Sequence, residues 1–171
     1  MVAVKKQIRR TKKTILFVGE GPTEKAFLQH IKQLYVDRDS DIAVTVEGGS
    51  GGSPENVINK AIRLSGCRAY DECYVLLDSD IPLKSKIKKH IKILLATPCL
   101  EGLFLMIMKH PNFSQNKVKS DYCKHEFETN YISADKKTDK KSYSDKFTRQ
   151  ILEERRKILE ELDAILKAFE A

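Results

Sequence analysis

Two apolar runs, "TILFVG" at residues 14–19 and "CYVLL" at 73–77, contain no charged residue, and each is followed at once by an acid, Glu20 or Asp78. Unbroken runs of this kind are the pattern of strands covered on both faces of a sheet. "DIAVTVEG" at 41–48 reads as a further strand, and "IKILLAT" at 91–97 as a fourth, although periodicity alone leaves a helix open there. Between these runs the apolar spacing changes to three and four. Gly21 and Pro22 break the chain and Thr23 is placed to cap a helix, whose buried stripe is Ala26, Phe27, His30, Ile31 and Leu34. In "GGSGGSPENVINKAI" at 48–62 the glycines form a connector, Ser53 an N-cap and Pro54 the first-turn proline of a helix ending near Cys67. The stretch lacks the Lys-Ser/Thr ending of a P-loop and the glycine spacing of a dinucleotide fingerprint. A phosphate site at that helix start stays open as an alternative.

"PCLEGLFLMIMKH" at 98–110 starts a helix at Pro98, with Leu100, Leu103, Phe104, Ile107 and Met108 turned inward. After Pro111 the composition becomes polar. "SDYCKHEFETNYI" at 120–132 predicts a short helix and "SADKKTDKKSYS" at 133–144 a lysine-rich loop. Residues 145–171 read as one long helix carrying Phe147, Ile151, Leu152, Ile158, Leu159, Leu162, Ile165 and Leu166, a stripe that either docks on the domain or forms a dimer seam. Strand–helix alternation predicts an α/β fold, a mostly parallel four-stranded sheet flanked by helices with a C-terminal helical extension. The chain thus divides into a basic N-terminal arm (1–13), an α/β core (14–110) and a helical extension (111–171) packed on or continuing the same domain.

With 171 residues and 41% of them hydrophobic, the chain is long enough for one real core. The formal net charge of +7 makes an anionic partner plausible, or else reflects a lysine-rich solvated surface. The arm is either a tail that touches nucleic acid or a frayed end. Cys67, Cys73, Cys99 and Cys123 fall at no metal-ligand spacing and read as reduced thiols of a cytoplasmic protein. No run is long enough to span a bilayer, and the apolar stretch after the basic start is too short for a secretory signal, so no membrane partner is expected. His30, His90, His110 and His125 show no pairing by spacing.

The acids change the picture. In an open parallel sheet, ligands bind beyond the carboxyl ends of the strands. Glu20 follows the first strand, Glu24 lies in the next helix turn, Asp78 and Asp80 close the third strand, and Glu101 opens the helix after the fourth. Asp78 and Asp80, two apart, can point the same way from an extended backbone. Like charges that close repel unless a cation joins them, and hard oxygen ligands suit Mg²⁺ or Mn²⁺. Each acid also has a plainer role: Glu24 and Glu101 as first-turn partners of a helix dipole, Asp78 and Asp80 as turn formers, Glu20 as loop. Lys84, Lys86, Lys88 and Lys89 follow the acids and are placed to offset a nucleic-acid backbone, or form a solvated basic loop.

The order of "GEGPTEKAFL", "CYVLLDSD" and "TPCLEGLFLMIMKH" resembles the TOPRIM (Rossmann-like) domain of topoisomerases, primases and OLD-type nucleases. It is closer still to the RloB-like and abortive-infection branch, with its E-G-x-T-E, D-x-D and P-C-x-E boxes. The resemblance covers about residues 14–110. It implies that Glu20 is the first-box general base or metal-binding acid, Glu24 its second Glu, Asp78 and Asp80 the metal-binding pair, and Glu101 the third-box acid. Two features depart from it: the short "IPLKSKIKKH" before the fourth strand, and apolar Ile81 where topoisomerase-type members carry further acids. The implied activity is Mg²⁺- or Mn²⁺-dependent hydrolysis of phosphodiester bonds in DNA or RNA, tRNA included, in prokaryotic anti-phage defence. The implied partners are nucleic acid and a protein of a defence complex; a second copy of the chain through the C-terminal helix is expected only if the apolar stripe forms a dimer seam. Two rivals stand beside this reading. One is a non-catalytic nucleic-acid-binding or assembly module of the same fold. The other is a receiver-like regulator phosphorylated on Asp78, disfavoured because paired acids after the first strand and a later lysine are missing.

Overall fold

The computed structural model describes residues 11–49, 51–82, 90–114 and 118–170. The lysine run Lys84, Lys86, Lys88 and Lys89 and most of the basic arm lie outside the described residues. Four strands, β1 (Lys13–Gly19), β2 (Ile42–Gly48), β3 (Glu72–Asp78) and β4 (Ile91–Ala96), form one sheet in the order β2-β1-β3-β4. All three pairings are parallel, with Gly19 opposite Gly48 and Asp78 opposite Ala96. The carboxyl ends of the strands therefore share one edge, and the brief passage from β3 to β4 still delivers a parallel strand.

Both faces of β1 are sealed, as its unbroken apolar run requires. Ile15 and Phe17 face helix α1 (Pro22–Tyr35), helix α3 (Leu100–Ile107) and the C-terminal helices. Leu16 and Val18 face helix α2 (Pro54–Cys67) through Val57, Ile58 and Ala61. Edge strand β2 alternates, burying Ile42, Val44 and Val46 and exposing Ala43. The helix after Pro98 starts two residues later than expected, at Leu100, with Cys99 at its cap. Gly21, not Thr23, caps α1: Pro22 occupies the first helical position and Glu24 reaches back to the Gly21 N–H at 2.7 Å.

The C-terminal half belongs to the same core. Helix α4 (Ser120–Asn130) follows α3, and Phe27, Phe104, Phe127, Tyr143 and Phe147 meet in one aromatic cluster with ring centroids 4.8–6.5 Å apart. His30, buried on α1, is a satisfied core histidine: its Nε2 lies 2.8 Å from the Phe147 carbonyl, and burial pushes its pKa down.

The expected long terminal helix is instead two, α5 (Arg149–Arg155) and α6 (Glu160–Lys167). No Gly or Pro marks the break, so its cause is tertiary. Arg156 sits at the elbow, bonded to Glu153, Asp163 and Glu170, and the turn lets Leu162, Ile165, Leu166 and Phe169 enter the core. Phe169 stacks on Phe17 of β1 at 4.1 Å. The apolar stripe thus docks on the domain, leaving Ile158 out at 66% exposure. All four cysteines are free thiols, three of them buried. No described helix is long and apolar enough to cross a membrane.

If the bend exists to bury Phe169, Phe169→Ala costs about 3–5 kcal/mol in urea unfolding, and Ile158→Ala less than about 0.5 kcal/mol. Comparable losses in the two variants would mean that the terminal helices are arranged otherwise.

Candidate active site

Four stretches of the chain deliver acids to the carboxyl edge. The turn after β1 carries Glu20, and its backbone is held by the loop after β2: Gly49 N–H donates to the Gly19 carbonyl at 2.7 Å, and Gly51 N–H to the Glu20 carbonyl at 3.3 Å. A Cβ on Gly49 would lie 2.3 Å from the Glu20 carbonyl oxygen, so only glycine permits this approach. The first turn of α1 carries Glu24, 8% exposed. The end of β3 carries Asp78, whose Oδ1 accepts the Leu100 N–H of α3 at 2.9 Å. Its own N–H points toward Glu20 Oε2 at 3.4 Å, a long contact. The first turn of α3 carries Glu101, 3% exposed. These four carboxylates line one cavity of about 300 Å³ together with Lys124 of α4 and Lys137 of the following loop.

Asp80 stands apart. β3 ends at Asp78, so the two-residue alternation of a strand does not extend to Asp80, which lies in the turn beyond. Its N–H donates to the Pro98 carbonyl at 3.1 Å, and its Oδ2 accepts a short hydrogen bond from Ser120 Oγ. It lines a separate hollow with Pro98, Lys119 and Asp121. Among the described residues, no group of three His, Cys, Asp or Glu side chains stands ready as a metal-ligand set.

The electrostatics differ between the two edges of the sheet. Near the amino edge, a hydrogen bond from Tyr74 and the ammoniums of Lys92 and Lys13 hold Glu72 down to about 2. At the carboxyl edge, burial first, then the charges of Glu24, Glu20 and Glu101, push Asp78 up to about 8. Burial likewise raises Glu24, opposed by backbone hydrogen bonds and reinforced by Glu101 and Glu20. Lysines answer part of this charge. Lys137 Nζ lies 2.6 Å from both Glu101 and Glu128; burial alone would lower its pKa, but the two carboxylates raise it. Lys124 follows the same balance, burial against Glu101, Asp78 and Asp80.

The sequence reading did not single out Lys124, Lys137 or Ser120. Ser120 and Lys124 are four apart on α4, a same-face spacing that gave a faint signal. Lys137 is one lysine of a lysine-rich loop, and nothing local distinguishes it.

Fold and site together define a parallel α/β protein with a buried acid cluster, partly neutralised by lysine, at its carboxyl edge. The family model for RloB-like proteins matches residues 15–168, nearly the whole chain, and the protein belongs to that family. No curated protein and no solved structure matches the chain.

Asp78 gives the site a measurable pH signature. An acid whose pKa is higher folded than unfolded binds more protons when folded, so stability falls as pH rises between the two values. For Asp78 the window runs from the ordinary 3.8 to about 8, and the raised Glu24 adds the same sign. In EDTA, urea-unfolding stability is expected to decline from about pH 5 to pH 8. Asp78→Asn should flatten that decline and exceed the parent at pH 8; an undiminished slope in the variant contradicts the assignment.

Proposed function

We propose that this RloB-like protein is a Mg²⁺- or Mn²⁺-dependent nuclease of the TOPRIM type, hydrolysing phosphodiester bonds of DNA or RNA, tRNA being as open a substrate as DNA. The observation that carries the reading is the convergence of Glu20, Glu24, Asp78 and Glu101 on one cavity, with Asp78 driven up to about 8 by burial and its acidic neighbours. A cluster of this kind calls for positive charge beyond its two lysines, and its donors are all carboxylate oxygens, the type that Mg²⁺ and Mn²⁺ take. The donor type suits the ion, and because no three of these side chains stand as a ready ligand set among the described residues, binding it requires the carboxylates to re-aim. Glu20 and Asp78 would hold it, with Glu24 beside them and Asp80 at the rim, free to join only by giving up Ser120. When bound, the ion polarises the scissile phosphate and lowers the pKa of the attacking water.

The remaining roles fall to the chain. Glu20 or Glu101 positions that water and takes its proton. Lys137 holds Glu101 in place through the 2.6 Å ion pair. Lys124, beside Glu101 and Asp78, offsets charge on the phosphate. The Leu100 N–H of α3 orients Asp78. The family setting points to cytoplasmic anti-phage defence, alongside the other proteins of a defence complex.

One observation favours a second reading, a non-catalytic nucleic-acid-binding module. Lys137 already bridges Glu101 and Glu128, which satisfies part of the cluster without any metal.

Labelled single- and double-stranded DNA and RNA, incubated with the full chain and Mn²⁺, separate the two. The nuclease reading expects products that EDTA abolishes, that Glu20→Gln reduces by roughly 10²–10⁴-fold, the range for losing an acid–base group, and that Asp78→Asn reduces through loss of an ion-holding carboxylate. Binding by the parent without cleavage of any of these substrates would reject the nuclease in favour of the module.

A further inference from the structure

A second cavity adjoins the acid cluster and has the opposite character. It encloses about 330 Å³ beside the glycine loop after β2 and is lined by Gly49, Gly51, Asn56, Asn59, Lys60 and Arg63, besides Val57. Gly51 lines both cavities, so one opens beside the other. The new cavity holds two cations, two amides and no carboxylate, whereas its neighbour holds four carboxylates.

The polar residues come from one face of α2. Positions 56, 59, 60 and 63 follow the three- and four-residue spacing of a single helical stripe, opposite the Val57, Ile58 and Ala61 positions buried under the sheet. That stripe covers about 10 Å of helix axis, long enough to face more than one phosphate of a strand. Asn56, Asn59 and Arg63 are exposed, and the Arg63 side chain has no hydrogen bond or ion pair with any described residue. Lys60 donates one short hydrogen bond to the Gly48 carbonyl, which fixes its stem along the loop and leaves two N–H donors of its ammonium free. A fixed lysine, an unpartnered arginine and two amides form the donor set that binds phosphate oxygens.

We propose that this face of α2, with Gly49 and Gly51 beside it, forms the track that holds the phosphodiester backbone of a nucleic-acid strand as it leads into the acid cavity. Lys60 and Arg63 contact the phosphates, and Asn56 and Asn59 contact the phosphate or sugar oxygens. The inference rests on reading the acid cavity as the place where a phosphodiester is handled. It adds a binding surface separate from the acids and from the lysine run at 84–89. Contacts of this kind position a strand without reading bases, so the track does not discriminate sequence.

The test is binding by the full chain in EDTA, read as fluorescence anisotropy of end-labelled 20-nucleotide single-stranded DNA and RNA of one sequence. Arg63→Glu should weaken binding of at least one probe about tenfold and lower the log–log salt slope by about 1. Arg38→Glu, an equal charge change on an exposed residue at the amino edge of the sheet, should change affinity less than about twofold. Whichever probe shows the Arg63 dependence identifies the strand chemistry. The inference is overturned if neither probe binds, if Arg63→Glu binds like the parent, or if the two charge reversals weaken binding equally. Mn²⁺-dependent cleavage of the same probes is scored separately. Cleavage by the parent with Arg63-independent binding defeats the track alone, and Arg63-dependent binding without cleavage defeats the nuclease reading alone.

Discussion

Carboxylates that share a buried edge repel one another, and this repulsion is the constraint around which the structure is organised. A parallel sheet with β1 and β3 adjacent at its centre brings Glu20 and Asp78 together, and the helices that follow β1 and β4 add Glu24 and Glu101. Backbone amides take up some of the charge: the Gly21 N–H binds Glu24 and the Leu100 N–H binds Asp78. Lys124 and Lys137 take up more. Asp78 carries the strain of this arrangement: burial first, and then its acidic neighbours, push its pKa up to about 8.

Both lysines come from the C-terminal half, so that half completes the site. α4 packs on α3 and presents Lys124 and Ser120, while the loop beyond it swings Lys137 onto Glu101 and Glu128. Tyr143 anchors this loop by donating to the Lys137 carbonyl at 2.7 Å from within the aromatic cluster. The bend between α5 and α6 then closes the core under β1 through Phe169. Packing and electrostatics are therefore joined at one place: the aromatic cluster that stabilises the domain also sets where Lys137 stands.

Much of this was legible from local pattern. Unbroken apolar runs marked β1 and β3 because a strand covered on both faces tolerates no polar side chain. Pro54 and the spacing after it marked α2, and the acids just past the strand ends marked the edge at which the carboxylates gather. What local pattern could not show depends on tertiary contacts. The break at Arg156 lacks any Gly or Pro and follows from ion pairs to Asp163 and Glu170. The divergence of Asp80 from Asp78 follows from where β3 ends and from Ser120, forty residues away. Lys137 resembles every other lysine of its loop until the fold sets it against Glu101. The glycine connector into α2 also clamps the backbone of Glu20 through the Gly49 and Gly51 N–H groups.

The central claim is that the acid cavity is a divalent-cation site. Its most direct measurement is anomalous diffraction from crystals of the full chain soaked in Mn²⁺. The account predicts a manganese peak in contact with Asp78 and Glu20. A peak bound elsewhere, with Asp78 and Glu20 still free of metal at saturating Mn²⁺, would contradict it.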